Sequence, residues 1–151
     1  MDLPCFCLKI CLEDTVDIIK KWGPEVATRG FTQIPNYLLL LNNFLDVDSR
    51  LKPLDLMILI QLVGSWWNVE DKPFPSAKTL AVRCGASERQ VYRSISMLES
   101  IPLIKKVKRS NKGIIASNAY DLQPLVEVLA AAAKVYPTDY PRKIKTRSVD
   151  Q

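Results

Sequence analysis

Two short helical patterns separated by a three-residue turn constrain the fold of this chain most. Ser76 precedes the first pattern, residues 77–84, and can cap it because a serine there accepts a hydrogen bond from a free backbone amide. Gly85-Ala-Ser then predicts a tight turn. Ser87 can cap the second helix, and Gln90 stands three residues later, which is the spacing of a capping box. The sequence therefore specifies where both helices begin.

The second helix has an apolar and a polar side. Val91, Ile95 and Leu98 recur at i, i+4 and i+7, so we expect them to face the core, as Leu80, Ala81 and Cys84 do on the first helix. Two helices joined by a short turn that contains glycine are typical of a helix-turn-helix, whose second helix lies in the major groove of double-stranded DNA. The outward side chains of this helix are Arg89, Arg93, Ser96 and Met97, flanked by Gln90 and Tyr92.

These outward side chains are of types that read base edges. Arg89 or Arg93 can make a bidentate contact with guanine, Gln90 with adenine, and Glu88 can accept from the amino group of cytosine. The sequence therefore predicts a base-reading helix, although not which bases it reads.

A basic hairpin is predicted directly after this helix. Residues 103–109 read as a strand, Ser110-Asn-Lys-Gly as a turn, and Ile114 onward as a returning strand that ends at 118–122. Such a hairpin would be a wing, with its cations near phosphates or a minor groove, where they add sequence-independent affinity that salt weakens. The wing cations are Lys106, Lys108, Arg109 and Lys112.

The positive charge of the chain is concentrated in the same segment. Residues 76–113 carry nine basic against two acidic residues, whereas residues 1–75 carry seven against ten. Charge alone suits nucleic acid or an anionic membrane surface, but its coincidence with the two helices and the hairpin favours double-stranded DNA. The complete set of predicted DNA-binding residues is Ser76, Lys78, Ser87, Glu88, Arg89, Gln90, Tyr92, Arg93, Lys106, Lys108, Arg109 and Lys112.

Helices are also predicted on both sides of this segment. Residues 15–22 form a short amphipathic pattern that Gly23-Pro24 ends, and residues 36–44 form an apolar one. Residues 54–66 are nearly all apolar, which predicts a central buried helix with Met57 in the core. Both Trp66 and Trp67 are expected to pack there rather than to stack on exposed bases.

The expected fold class is therefore mainly α with a small β-hairpin wing (α+β), a winged helix-turn-helix with extra N- and C-terminal helices. We divide the chain into an N-terminal helical extension (1–30), the DNA-binding domain (31–122), a C-terminal helix (123–135) and a basic tail (136–151). The C-terminal helix is apolar, so it should either fold back on the amino-terminal helix or pair across a two-fold axis. The tail either adds phosphate contacts or only solubilises the chain.

Other classes of function have little support. The sequence contains no histidine, so a zinc site would need all four cysteines. The spacing of Cys5, Cys7 and Cys11 lacks the second C-x2-C pair that structural zinc sites use. We therefore predict no metal and no cofactor, and the role of these three cysteines stays open. No Walker loop, histidine, acidic triad or nucleophile–base pair indicates an enzyme. The longest apolar segment is shorter than a membrane span, and the start lacks a basic n-region, so we predict a soluble cytoplasmic protein that does not bind membranes.

Several short motifs carry a resemblance to a known family. They are Gly30-Phe-Thr-Gln-Ile-Pro-Asn, Leu51-Lys-Pro-Leu-Asp-Leu, Trp66-Trp67-Asn68 with Phe74-Pro-Ser, Leu80-Ala81, Gly85-Ala-Ser-Glu-Arg-Gln-Val-Tyr-Arg-Ser-Ile and Ser117-Asn-Ala-Tyr. Residues 31–122 resemble a bacterial winged-helix family found in replication-initiation proteins of phages and plasmids and in small regulators of mobile elements. Cys84 departs from the larger aliphatic residue usual in the family, and the cysteine-rich start has no counterpart in it.

The resemblance implies DNA binding through the third helix and permits two functions. The first is a sequence-specific transcriptional regulator that occupies an operator, and the alternative is an origin-binding replication initiator. A nuclease or recombinase accessory is a third hypothesis without a supporting motif. A homodimer through the N- and C-terminal helices would read a palindromic site. The residues implied by the resemblance are Ser87, Glu88, Arg89, Gln90 and Arg93.

Overall fold

A computed structural model describes residues 17–139, and the chain divides into two compact units between Thr32 and Gln33. Cys5, Cys7 and Cys11 and the basic tail from 140 onward lie outside the described residues. In the first unit, residues 17–22 are helical (α1) and Pro24–Ala27 forms a second short helix, α2. The expected stop at Gly23-Pro24 is therefore a break between two helices, because Gly23 takes a positive φ of 82° and a proline is well placed in a first helical turn.

The second unit holds the remaining helices and all the strands of the described chain. Along the chain, this unit consists of helices up to residue 100, then a β-hairpin, and then one last helix. The expected mainly α fold with a small antiparallel hairpin is confirmed. The elements are α3 (Asn36–Leu39), α4 (Leu41–Phe44), a 3-10 helix (Val47–Ser49), α5 (Pro53–Gly64), α6 (Ala77–Cys84), α7 (Glu88–Ser100), β1 (Lys105–Val107), β2 (Ser110–Asn111), β3 (Ile114–Ile115), β4 (Ala119–Asp121) and α8 (Gln123–Val135).

The core lies around α5, as predicted, and α5 packs against both α6 and α7. Ile58, Leu59 and Leu62 are fully buried along one face of this helix. The prediction for Met57 is wrong, since 43% of this residue is exposed. Successive helical residues are rotated by about 100°, so the buried face centred between Ile58 and Leu59 leaves Met57 on the opposite side.

The two tryptophans have different environments. Trp66 is partly buried and packs against the core, as expected, but Trp67 is 87% exposed, so the prediction of core packing is wrong for Trp67. The reason is that α5 ends at Gly64, which places Trp67 in the following loop rather than on the apolar helix. Within residues 17–139, no helix combines the length and apolar character that a membrane crossing requires.

The apolar segment 36–44 forms two short helices instead of one. Leu40, with φ −101° and ψ 7°, separates α3 from α4. The side-chain amide of Asn42 then pairs with the backbone of Leu51: Nδ2 donates to the Leu51 carbonyl at 3.0 Å, and the Leu51 amide donates to Oδ1 at 2.7 Å. These two bonds fasten α4 to the segment that leads into α5.

We therefore expect Asn42→Ala to lower the free energy of unfolding by about 1–3 kcal/mol, since the partly buried amide and carbonyl of Leu51 both lose their partner. Urea denaturation followed by circular dichroism measures this change. The matched control is Asn43→Ala, because Asn43 is exposed and its side chain makes no such bond. Equal stabilities of the two variants would contradict the structural role of Asn42.

Helix α8 packs against α3 of the same chain. Leu125, Leu129 and Ala132 are buried. Beyond its end, Tyr136 stacks on Phe44 with ring centroids 5.3 Å apart, and the hydroxyl of Tyr37 donates to the Tyr136 carbonyl at 2.6 Å. The apolar face of α8 is thus covered within the chain by α3, and not by the amino-terminal helix.

The hairpin consists of two short antiparallel ladders rather than two continuous strands. β1 pairs with β4, and β2 pairs with β3 toward the tip. Between the two ladders, the amide of Ala116 donates to the Arg109 carbonyl at 3.3 Å and joins the arms. Ser110 belongs to β2, so the turn is shorter than predicted. It consists of Lys112 and Gly113, whose φ values of 50° and 79° are those of a two-residue hairpin turn.

Candidate nucleic-acid interface

Side-chain caps fix the starts of α6 and α7, as the sequence predicted. The hydroxyl oxygen of Ser76 accepts from the amide of Thr79 at 3.1 Å. Ser87 accepts from the amide of Gln90 at 3.2 Å, and Oε1 of Gln90 accepts from the amide of Ser87 at 2.9 Å, which completes the predicted capping box. Between the helices, Gly85 takes the left-handed conformation with φ 65°, for which glycine is suited.

The packing of α6 against α7 determines which side of α7 faces outward. Leu80 and Ala81 are buried on α6, and Val91, Ile95 and Leu98 are buried on α7, which confirms the predicted inward faces; Cys84 is only partly buried. Arg89, Arg93 and Ser96 are exposed on the other side of α7, whereas Met97 is partly buried. The structure thus leaves one polar strip of α7 free.

Arg89 and Arg93 are the charged groups of this strip. In the described part of the chain, the single ion pair joins Lys106 to Glu99, so no carboxylate neutralises either arginine. The two guanidinium groups stand four residues apart on one helical face, where like charges destabilise a helix by about 0.2–0.5 kcal/mol. An anionic ligand lying along this face would relieve that repulsion.

The remaining predicted residues of α7 and α6 have differing surroundings. Oε1 of Gln90 already accepts from the amide of Ser87, so a bidentate contact with adenine would use the second lone pair of this oxygen together with Nε2. Glu88 and Tyr92 are exposed, and Lys78 is exposed in the first turn of α6, next to the half-buried Ser76. Of this group, Ser76 and Gln90 are the residues whose side chains already bond within the protein, Ser76 to Thr79 and Gln90 to Ser87.

The wing cations also differ from one another. Lys106 is paired, because its ammonium lies 3.6 Å from Oε2 of Glu99 and its amide donates to Oε1 at 3.2 Å. These contacts attach β1 to the last turns of α7. Lys108 is exposed just beyond β1, and Lys112 is exposed at the turn. The guanidinium carbon of Arg109 lies 3.8 Å from the centre of the Phe74 ring.

Residues 73–74 support the base of the wing, a role that the sequence reasoning missed. The amide of Tyr120 donates to the Pro73 carbonyl at 2.8 Å, and the hydroxyl of Ser117 donates to the Phe74 carbonyl at 3.2 Å. The segment before α6 therefore lies beside the returning arm of the wing. The only signal in the sequence was an aromatic residue shortly before a helix cap, which does not indicate its partner.

The hydroxyl of Tyr120 and the thiol of Cys84 both stay protonated, and therefore neutral, at pH 7. Burial raises the pKa of Tyr120, and Tyr92 and Glu99 raise it further. Burial also raises the pKa of the Cys84 thiol, against the lowering effect of Arg83. Within residues 17–139, no group of three or more cysteine, aspartate and glutamate side chains is arranged to hold a metal ion.

Residues 49–104 match a family model described as a helix-turn-helix domain. The match supports a helix-turn-helix DNA-binding family. It includes α5, α6 and α7 and stops just before β1, so it covers the two capped helices and the core helix beneath them. With the hairpin that follows, the fold is a winged helix-turn-helix, and this domain supports a role in binding double-stranded DNA. A comparison with curated proteins finds no relative that matches the chain. The narrower resemblance to replication initiators and mobile-element regulators stays a prediction.

Proposed function

We propose that this protein is a sequence-specific double-stranded DNA-binding regulator of transcription that acts by occupying an operator. The exposed pair Arg89 and Arg93 carries the proposal, because neither pairs with a carboxylate of residues 17–139 and both lie on the outward face of the second helix of a helix-turn-helix domain. Helix α7 is buried on one face and carries free cations on the opposite face, which suits a helix that enters the major groove.

In the proposed complex, α7 reads bases and the wing contacts the backbone. Arg93 or Arg89 would bind O6 and N7 of guanine through a bidentate contact. Lys108 and Lys112 would lie near phosphates on either side of the wing, and Ser76 and Lys78 would contact phosphate at the start of α6. Phosphate contacts fix the register of α7, while the contacts of α7 select the sequence.

We also propose the domain boundaries predicted above, with the DNA-binding domain at 31–122 followed by α8, the C-terminal helix that packs against α3. A homodimer is proposed on the remaining exposed apolar groups of the terminal helices, among them Val126 and Val135 on α8, since the main apolar face of α8 packs within the chain. Such a dimer would bind two half-sites about one helical turn apart.

Selection of bound duplexes from a random double-stranded DNA pool tests the proposed function. We expect a compact enriched motif, which the protein prefers over a scrambled duplex by about 10³-fold or more at physiological salt. A palindromic motif supports the dimeric regulator, whereas iterated direct repeats would favour origin binding. Uniform, salt-sensitive binding of all duplexes would contradict sequence-specific recognition.

Removal of the Lys108 charge should weaken the binding of every sequence to a similar extent. Lys108 is exposed on the wing outside both ladders, so its proposed partner is a phosphate rather than a base. For Lys108→Ala, we expect the slope of log affinity against log salt to become shallower by about one unit. Titrations of the selected and the scrambled duplex over a salt series measure this slope. A loss confined to the selected duplex would instead indicate base recognition by the wing.

A further inference from the structure

The ring of Phe74 and the guanidinium of Arg109 stack on the protein surface. The guanidinium carbon is 3.8 Å from the ring centroid, well within the range of a cation–π contact, and 52% of Phe74 is exposed. A half-exposed phenylalanine has no evident role in the core. A cation of the wing, by contrast, lies over its ring.

Both members of this stack are held by the backbone around them. Ser117 bonds to the Phe74 carbonyl, and the neighbouring Pro73 carbonyl accepts from Tyr120, so the ring belongs to a segment fixed against the returning arm of the wing. Arg109 belongs to the outgoing arm, and its carbonyl accepts from Ala116. The stack therefore closes across the base of the wing, between the two arms and the segment that leads into α6.

A guanidinium that is held by its face keeps its edge available. Its N–H donors form a planar fork that matches two oxygens of a phosphate. No carboxylate competes for this fork in the part of the chain that the structure describes, since the ion pair found there uses Lys106 and Glu99. Because the stack already restricts the long arginine side chain, less conformational entropy is lost when the fork binds.

We propose that Phe74 is a positioning residue that holds Arg109 for contact with a backbone phosphate of DNA at the base of the wing. The proposal rests on the proposed function, because the phosphate belongs to the duplex that α7 reads. Phosphates are the same in every sequence, so this contact contributes to affinity and to the register of the protein but not to the choice of bases.

A double-mutant cycle in the full chain tests this inference. We expect Arg109→Ala to lower affinity about tenfold on both the selected and the scrambled duplex, with a salt slope shallower by about one unit. Phe74→Leu keeps the charge, so we expect a loss of about threefold at an unchanged salt slope, with no further loss when it is added to Arg109→Ala. Phe74→Tyr keeps an aromatic ring against the guanidinium, so its affinity should equal that of the unsubstituted protein.

Arg109→Lys supplies the matched control, because it retains the charge and removes the planar fork. On this background, Phe74→Leu should cost less than it does beside arginine, because an ammonium has no planar fork for the ring to orient. Additive losses from Phe74→Leu and Arg109→Ala would overturn the positioning role, and a loss confined to the selected duplex would overturn the assignment to phosphate. Urea midpoints of the variants identify any loss of folding. If no motif were enriched but the same coupling appeared on scrambled duplexes, only the sequence-specific function would fail, and this inference would be supported.

Discussion

Arg93→Ala should lose about 5- to 150-fold in affinity for the selected duplex, the value of one bidentate contact with guanine. Arg93 is exposed in the second turn of α7, on the same face as Arg89 and opposite the buried Ile95. A scrambled duplex offers no matched base, so the variant should bind it only slightly less tightly, by the loss of one positive charge. The expected result is therefore a loss of preference as well as of affinity.

The matched control is Arg83→Ala, which removes the same charge from an exposed position in the last turn of α6. This end of α6 is remote in sequence from its cap at Ser76, where the proposed phosphate contact lies. Competition titrations with the two duplexes at fixed salt measure both variants. If Arg93→Ala bound the selected duplex as tightly as Arg83→Ala does, α7 would not be the reading helix.

The sequence predicts the two helix caps but not the contacts of the wing. The capping bonds of Ser76, Ser87 and Gln90 join residues three positions apart, so their geometry is determined locally and the prediction was confirmed. The burial of Val91, Ile95 and Leu98 follows from one regular helix and was also confirmed. The fold class depends on these local patterns and was predicted for that reason.

Contacts between distant segments were not predicted. Arg109 reaches Phe74 only because the wing folds back beside the segment before α6, and the register of two short ladders decides this. The pairing of Lys106 with Glu99 depends on the angle at which β1 leaves α7. Trp67 was misplaced because the end of α5 lies a few residues earlier than the apolar pattern indicates. In each case, tertiary packing decides what composition and periodicity leave open.

Leu98→Ala should have the largest effect on stability, with a loss of about 2–5 kcal/mol in the free energy of unfolding. Leu98 is fully buried in α7 as part of the cluster that also contains Ile58 and Leu62 of α5. Its removal leaves a cavity between the helix proposed to read DNA and the helix that supports it. Since the whole free energy of unfolding of a small domain is about 5–15 kcal/mol, this loss removes a large share of it.

Urea denaturation of the full chain measures this loss, which should appear as a lower midpoint with an unchanged slope. Val82→Ala is the control, since Val82 is 77% exposed on α6 and its truncation should change stability by less than about 0.5 kcal/mol. Stability and DNA affinity, measured together, distinguish the buried from the exposed face of α7. Leu98→Ala lowers DNA binding only through the unfolded fraction, whereas Arg93→Ala lowers it in a fully folded protein. A Leu98→Ala variant as stable as Val82→Ala would show that α7 does not pack on α5 through this side chain, and the outward direction of Arg93 would then lose its structural basis.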